Sequence, residues 1–483
     1  MSVELKNKAL RALLWSAAER ISLQGIQFVI SILLARFLMP EEFGLIAMLA
    51  IFIAIADSFI NSGFGHALIQ KQRATHVDEC SIFYFNVIVG FIVAALLCFS
   101  APWIADFYNQ PQLTLMIYAL SLNLIFSAFG LVQVTLLSKY LNFKIQQKVS
   151  VISAIASGTI GVTMALKGFG VWSLVIMQLS NTLFRTSLLW LFNTWRPSWT
   201  FSFEALRSMF AFGSRIFLVG LMNAFFVNIY NLVIAKLFSP MALGFYVRAE
   251  SLQQLPVNTV AGVINQVTFP VFSAIQDDKP RLKRGVSKAL TMMVLIVFPM
   301  MVGLAIVAKP LVLVLLTEKW LPSVPYLQLF CVLGMLHPIH LINLSALNAQ
   351  GRSDLFVRVE VLKKFLTIII ILITYRWGIT AMIYGQIIVS FLSFYLNAYY
   401  TQKLLDYSII EQIRDFIPSL ALAGIMGVGV YALQYASITD ELVLLIAQII
   451  TGVVLYSGMC YLFRISSFME ILKLIKSRGD RIV

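Results

Sequence analysis

The chain contains 483 residues, of which 60% are hydrophobic and only 12% are charged. Soluble domains bury a core with a smaller apolar share and carry about twice this proportion of charge. The composition therefore excludes a soluble globular protein and predicts a polytopic membrane protein.

Fourteen apolar segments are long enough to cross a bilayer, which takes about 20 residues of α-helix. The first follows basic residues, but it is longer than the apolar core of a signal peptide and has no A-x-A-like cleavage site. We therefore expect it to be retained as the first span. The predicted spans are 10–37, 43–62, 80–101, 113–138, 149–166, 171–192, 209–237, 243–275, 289–308, 323–348, 359–376, 379–400, 415–435 and 442–463.

One short motif occurs twice. LLARFLMPEEFG runs from Leu33 to Gly44, and VIAKLFSPMALG runs from Val233 to Gly244. A proline cannot continue the preceding helix but fits the first turn of the next one, where Ser239 would act as N-cap in the second copy. Each copy is therefore predicted to form a tight hairpin between two membrane helices.

Both copies follow the first span of a six-span set, which indicates an internal repeat. Because six is an even number of crossings, both sets enter the membrane in the same direction, and the repeat is parallel. The predicted division is an N-lobe at 1–192, a cytoplasmic linker at 193–208, a C-lobe at 209–401 and a helix pair with a basic tail at 402–483.

Most of the 36 Lys and Arg residues lie on the side of the N-terminus when successive loops are assigned to alternate sides. By the positive-inside rule, both termini are predicted to be cytoplasmic. The run KPRLKRGVSK, Lys279 to Lys288, is the strongest marker and is interpreted as a topology anchor. Topology thus accounts for the formal net charge of +14, and no nucleic-acid partner is predicted.

Polar residues at helical spacing share one face of a helix, and such stripes occur on the spans that open each six-span set. A polar stripe in a membrane helix faces another stripe or water rather than lipid, so converging stripes predict a water-filled cavity. The stripes are Arg20, Gln24, Gln27 and Ser31; Asp57 and Asn61; Asn228 and Asn231; and Glu250, Gln254, Asn258 and Asn265.

Arginines slightly exceed acids among the charges inside the spans. The arginine fork suits phosphate and carboxylate, whereas Asn and Gln amides suit sugar hydroxyls. An anionic, sugar-bearing substrate is therefore predicted. Its expected binding residues are Arg20, Gln24, Gln27, Arg215, Asn228, Asn231, Arg248, Gln254 and Asn258.

Three carboxylates, Asp57, Glu19 and Glu250, are candidate ion-coupling groups. The alternative for each is a structural role, such as pairing with an arginine or positioning a helix end. Arg185 and Arg215 lie near the ends of their spans, where snorkelling to the membrane surface is the alternative to a role in the cavity.

No bond-making chemistry is visible, since the chain lacks G-x-S-x-G, P-loop and H-E-x-x-H motifs. The four cysteines show neither a metal-ligand spacing nor a disulfide framework, so no metal or cofactor is predicted. His337 and His340 fit either a proton relay or two core histidines. A transporter is therefore expected rather than an enzyme.

Several segments resemble the lipopolysaccharide and colanic-acid exporter branch of the polysaccharide flippases, within the multidrug/oligosaccharidyl-lipid/polysaccharide exporter superfamily. The resemblance covers nearly the whole chain, although the C-terminal helix pair matches by hydropathy only. The segments are Leu5–Met48, SGFGHALIQKQ (Ser62–Gln72), APWIADFYNQPQL (Ala101–Leu113), SPMALGFYVRAESLQQLP (Ser239–Pro256), VTFPVFSAIQDD (Val267–Asp278), TEKWLPSVPYLQ (Thr317–Gln328) and LNAQGRSDL (Leu347–Leu355).

The resemblance implies a MATE-like, all-α integral membrane protein with two six-helix lobes around a central cavity and a further helix pair. It implies movement of a polyprenyl-diphosphate-linked oligosaccharide across the bacterial inner membrane by alternating access. Arg20, Arg215 and Arg248 match by segment the arginines thought to hold the diphosphate. Membrane lipids, a coupling proton or sodium ion, a glycan polymerase and export machinery are the other implied partners.

Two other functions compete with this one. A cation-coupled multidrug or metabolite exporter would share the fold, but cationic drugs favour acidic cavities and the arginines argue against it. A glycan polymerase or acyltransferase would need a large outer loop with catalytic residues. The predicted outer loops are all short, the longest running from Lys309 to Pro322.

Overall fold

The computed structural model describes residues 22–61, 63–436 and 438–479, and within these ranges the regular structure is entirely helical. The helices of the first half are α1 (Ser22–Phe37), α2 (Pro40–Asn61), α3 (Phe64–Gln70), α4 (His76–Tyr108), α5 (Leu113–Lys139), α6 (Phe143–Leu166), α7 (Trp172–Phe192) and α8 (Phe203–Leu237). The later helices are α9 (Pro240–Ala274), α10 (Lys279–Ile306), α11 (Ala308–Leu316), α12 (Val324–Ala349), α13 (Ser353–Thr374), α14 (Gly378–Leu405), α15 (Ile409–Ala432), α16 (Glu441–Leu462) and α17 (Ser466–Gly479).

The predicted all-α membrane fold is confirmed, and each of the fourteen predicted spans overlaps one of these helices. Among the described residues, nine helical segments have both the length and the hydropathy expected of a membrane crossing. The number of fourteen crossings stays a prediction. Three further helices, α3, α11 and α17, were not predicted because they are short or because polar residues interrupt their apolar positions.

The chain divides into two compact units, which are residues 1–247 and residues 248–483. In the first unit, α4 packs against α5, α6 against α7, and α8 against α2. Its core contains Phe64, Leu68 and Phe83, which are almost completely buried, with Trp190 and Trp195 packed at the margin. The predicted lobes, 1–192 and 209–401, stay a prediction; α8 makes its contacts here with helices of the first unit.

The linker between α7 and α8 is anchored to the start of α4. Trp195 donates its indole N–H to Oε2 of Glu79 at 2.8 Å. Ser202 then donates its backbone N–H to Oγ of Ser81 at 2.8 Å and caps α8 by accepting from the backbone N–H of Ala205. The aromatic and polar residues of this linker therefore fix the connection that the sequence predicts to lie along the membrane surface.

Both predicted hairpins are present. Helix α1 ends at Phe37 and α2 begins at Pro40, while α8 ends at Leu237 and α9 begins at Pro240. The predicted N-cap is confirmed, because Oγ of Ser239 accepts the backbone N–H of Ala242 at 3.2 Å.

The two hairpins also contact each other reciprocally. A methyl group added at Gly44 would lie 1.7 Å from the carbonyl oxygen of Pro240, and one added at Gly244 would lie 1.9 Å from that of Pro40. Such approaches are far shorter than van der Waals contact, so only glycine fits at either place. The repeated motif thus makes a turn and also a pair of equivalent backbone contacts.

Helix α10 is central to the second unit, where it packs against α12 and α15. Helix α15 contains the glycine-rich run GIMGVG, Gly424 to Gly429, which allows close packing. A methyl group at Gly427 would lie 2.8 Å from Cγ1 of Val302, and one at Gly429 would lie 2.7 Å from Cδ1 of Leu455. Small residues at such positions let membrane helices approach, which accounts for this run without a ligand.

Candidate functional site

A polar cavity lies inside the first unit, between α1, α2, α5, α6 and α7. It has a volume of about 500 Å³, and we call it the first chamber. Its polar lining includes Gln27, Asp57, Asn123, Gln178 and Asn181. The structure therefore brings two predicted site residues, Gln27 and Asp57, to the same cavity.

Among the described residues that line the first chamber, Asp57 carries the only acidic group. Asp57 is half-buried and makes no hydrogen bond or ion pair within the described part of the chain. The carbonyl oxygen of the Asn123 amide is also buried and accepts no hydrogen bond from any residue that the structure describes. A carboxylate and an amide oxygen with unused acceptor capacity suit a proton or a small cation.

Close packing of α6 and α7 forms one wall of the first chamber. Gly161 makes this approach possible, because a methyl group there would lie 2.9 Å from Cβ of Met177. Asn181 on α7 consequently reaches α6 and donates from its amide nitrogen to Oγ of Ser157 at 3.0 Å. Asn123, Gln178 and Asn181 were not among the predicted site residues. Gln178 and Asn181 lie three apart on α7, and this helical spacing is the sequence signal that could have found them.

A second polar cavity, the second chamber, lies inside the second unit between α9, α12 and α14, with a volume of about 280 Å³. The stripe predicted on α9 brings Glu250, Gln254 and Asn258 to it, together with His337 of α12 and Gln386 of α14. Gln254 donates its amide N–H to Oε1 of Glu250 at 3.1 Å. The chamber therefore presents one carboxylate among amides and an imidazole.

Arg248 lies away from the second chamber, although it is only two residues from Glu250. Its side chain is 4% exposed, and its guanidinium carbon lies 5.8 Å from the centre of the Trp320 ring. This arrangement is a cation–π contact, typical of arginine over an indole face. A spacing of two places Arg248 and Glu250 on different faces of α9.

The remaining predicted site residues lie outside both chambers or outside the described residues. Arg215 is exposed on α8. Asn228 donates its amide N–H to the carbonyl oxygen of Ala224 in its own helix at 2.9 Å. Gln24 and Asn231 are half-buried and line neither chamber. Glu19 and Arg20 precede the described residues, so their predicted roles stay predictions.

His340 is held between two neighbouring side chains. Its Nε2 lies 2.9 Å from Oγ of Ser390, and its Nδ1 lies 3.1 Å from the amide nitrogen of Asn397. Because an amide nitrogen can only donate, Nδ1 accepts and Nε2 carries the proton. This geometry favours the interpretation of His340 as a core histidine over that of a proton relay.

These features define a polytopic α-helical transport protein, with polar chambers inside otherwise apolar bundles. Residues 33–325 match the family described as Polysaccharide biosynthesis protein, and the chain belongs to that family. The chain is 29% identical over 372 residues to lipopolysaccharide biosynthesis protein WzxC of Escherichia coli strain K12, covering 76% of this chain and 75% of WzxC. The predicted resemblance to the polysaccharide flippases is thereby confirmed.

Solved structures show the same fold. The lipid II flippase MurJ matches with a TM-score of 0.78 at 13% identity, covering 92% of this chain and 98% of MurJ. A multidrug resistance MATE family transporter of the MOP superfamily matches with a TM-score of 0.61 at 14% identity, covering 81% of this chain and 99% of that one. The predicted MATE-like fold is therefore confirmed.

Proposed function

We propose that this protein is a flippase that moves a polyprenyl-diphosphate-linked oligosaccharide across the bacterial inner membrane by alternating access. The observation that carries the proposal is membership of the polysaccharide biosynthesis family over residues 33–325. The fold shared with a lipid II flippase supports it, because lipid II is itself a lipid-linked saccharide. The protein acts as a transporter and makes or breaks no bond in its substrate.

The proposed substrate contacts are divided by chemistry. Arg20, Arg215 and Arg248 would hold the diphosphate, since guanidinium groups bind phosphate oxygens in pairs. Exposure of Arg215 on α8 supports its part. For Arg248, the proposal requires the guanidinium to leave the Trp320 ring during the cycle.

Amides would contact the sugar hydroxyls. Amide groups both donate and accept hydrogen bonds, and so do hydroxyls. Amides can therefore bind an uncharged saccharide. The residues proposed for this role are Gln24, Gln27, Asn228, Asn231, Gln254 and Asn258.

Ion coupling is proposed to use the carboxylates of the two chambers. Asp57 is the stronger candidate because it has no hydrogen-bond or ion-pair partner among the described residues, whereas Glu250 accepts from Gln254. Glu19 is proposed on its sequence position alone. A proton or a sodium ion would satisfy either chamber, and removing the charge would uncouple transport from the gradient.

The charge pattern supports a topology with both termini in the cytoplasm. In that orientation the basic start of α10, Lys279 to Lys288, faces the compartment in which lipid-linked oligosaccharides are assembled. A glycan polymerase and export machinery on the opposite side are the proposed consumers of the product.

Deleting the gene tests the proposal. Lipid-linked repeat units should accumulate on the cytoplasmic side, measured by labelling with a membrane-impermeant oxidant in intact spheroplasts and in everted vesicles. Wild-type protein supplied in trans should restore outward labelling, and Arg215→Ala should not. Normal surface glycan without accumulation, together with drug efflux by the purified protein in vesicles, would instead identify a multidrug exporter.

A further inference from the structure

A basic pocket lies in the second unit where the first turns of α10, α15 and α17 meet. Its volume is about 550 Å³, and its charged lining is Lys283, Arg284, Lys288, Glu411, Arg414, Asp415 and Glu470. The apolar part of α10 begins only after this segment, so the basic pocket lies at a membrane surface and outside both chambers.

Every acidic side chain in the basic pocket is already engaged. Glu411 lies 2.9 Å from Nζ of Lys283 and also caps α15, since its Oε2 accepts the backbone N–H of Ser408 at 2.8 Å. Glu470 lies 2.6 Å from Nζ of Lys288, which ties α17 to α10. Each of these two carboxylates is therefore paired with a lysine rather than with Arg284 or Arg414.

Asp415 is satisfied in a different way. The hydroxyls of Tyr407 and Ser287 both donate to its Oδ2 at 2.5 Å. Neutral donors rather than cations therefore hold this carboxylate. Arg284 and Arg414 remain exposed and contact no carboxylate among the described residues.

Backbone geometry adds to the positive potential. The first turn of a helix presents N–H groups that have no partner within the helix, and these favour an anion. Helix α17 begins at Ser466 beside the pocket, and Oγ of Ser467 donates to Oγ1 of Thr291 at 3.1 Å, which fixes that end against α10. Arg284, Arg414 and the first residues of α17 thus line the same pocket.

The sequence of α17 indicates where the ligand comes from. SSFMEILKLIKSRG alternates apolar residues with Lys473, Lys476 and Arg478, as in helices that lie on anionic membrane surfaces. We infer that the basic pocket binds the phosphate of an anionic phospholipid head group, held by Arg284 and Arg414, and that bound lipid fixes α17 against α10 and α15. Free phosphate has the same chemistry but lacks the acyl chains that would place it at this surface.

The inference is tested with the purified full-length protein in a neutral detergent, by following thermal unfolding during titration with lipid. Phosphatidylglycerol should raise the unfolding temperature in a saturable way, whereas phosphatidylcholine should not. Arg284→Gln combined with Arg414→Gln should raise the half-saturating concentration at least about tenfold, because charge-assisted contacts to phosphate are the strong ones.

The matched control is Arg281→Gln combined with Arg358→Gln, which removes the same charge from exposed positions outside the basic pocket. It should leave the response to phosphatidylglycerol unchanged. An equal response to both lipids, or an equal loss in the two double variants, would overturn the inference. A full response to inorganic phosphate alone would overturn the assignment to lipid.

Discussion

Gly44 lies so close to the backbone carbonyl of Pro240 that no side chain fits between them, and Gly244 lies in the same way against Pro40. The two copies of the repeated motif therefore meet through backbone atoms. A backbone neighbour cannot move aside as a flexible side chain can. A side chain added at either glycine would therefore displace the backbone of the opposite hairpin.

Gly44→Ala should lower the stability of the protein. The added methyl group would lie 1.7 Å from the carbonyl oxygen of Pro240, and overpacking of this kind costs about 1–3 kcal/mol. Thermal unfolding in detergent measures the change. Gly220→Ala in α8 is the control, since nothing lies within 4 Å of its added methyl group. An unfolding temperature for Gly44→Ala as high as that of the control would contradict the reciprocal contact.

Asp57→Asn should abolish ion-coupled translocation without lowering stability. The carboxylate has no hydrogen-bond or ion-pair partner among the described residues, so neutralising it removes an unpaired charge and breaks no bond. Without this carboxylate the coupling ion has no charged group to bind in the first chamber, so the rate under an imposed gradient should fall to the rate measured without one. The rate is measured with labelled lipid-linked oligosaccharide in vesicles under an imposed gradient.

Asp277→Asn, an exposed carboxylate in the bend before α10, is the control and should transport normally. Gradient-driven transport by Asp57→Asn at the wild-type rate would remove Asp57 from the coupling mechanism. A large fall in its unfolding temperature would instead show that the carboxylate has a structural role.

His340→Ala should destabilise the second unit. The change leaves Ser390 and Asn397 without the imidazole, and a buried polar group that loses its partner costs about 1–3 kcal/mol. Thermal unfolding again provides the measurement, with the exposed His66→Ala as the control. A variant that unfolds like wild type but no longer responds to a proton gradient would restore the proton-relay interpretation.

Trp195→Phe should loosen the linker from α4. The ring would still pack, but Glu79 would lose the indole donor at 2.8 Å, and hydrogen bonds to charged groups contribute about 1.5–3 kcal/mol. Limited proteolysis between α7 and α8 should become faster. Trp199→Phe is the control because Trp199 is 96% exposed. Equal cleavage of the two variants would show that the hydrogen bond does not hold the linker.

Local rules predicted the parts of this fold that local geometry decides. Pro40 and Pro240 each stand at the first position of a helix, directly after another helix ends, and the motif that surrounds them occurs twice, so both hairpins could be placed from sequence. Helical spacing likewise placed Glu250, Gln254 and Asn258 on one face of α9, and they line one chamber.

The rest of the site depends on which helices become neighbours. Asn123 and Gln178 line the same chamber as Asp57 only because α5 and α7 pack beside α2, and no spacing within one helix predicts that packing. Trp320, whose ring contacts the guanidinium of Arg248, belongs to a short 3-10 segment and lies 72 residues further along the chain. The reciprocal contact of the two motifs could not be predicted either, because a repeat in sequence does not indicate whether its copies are in contact.

The turns at Pro40 and Pro240 also restrict how the chain can be lengthened. The two turns pack against each other, so a tag or reporter inserted into one turn would displace the other. The exposed bend at Asp277 has no such counterpart and is the better site for a fusion. A longer loop in one copy would therefore require a matching change in the other.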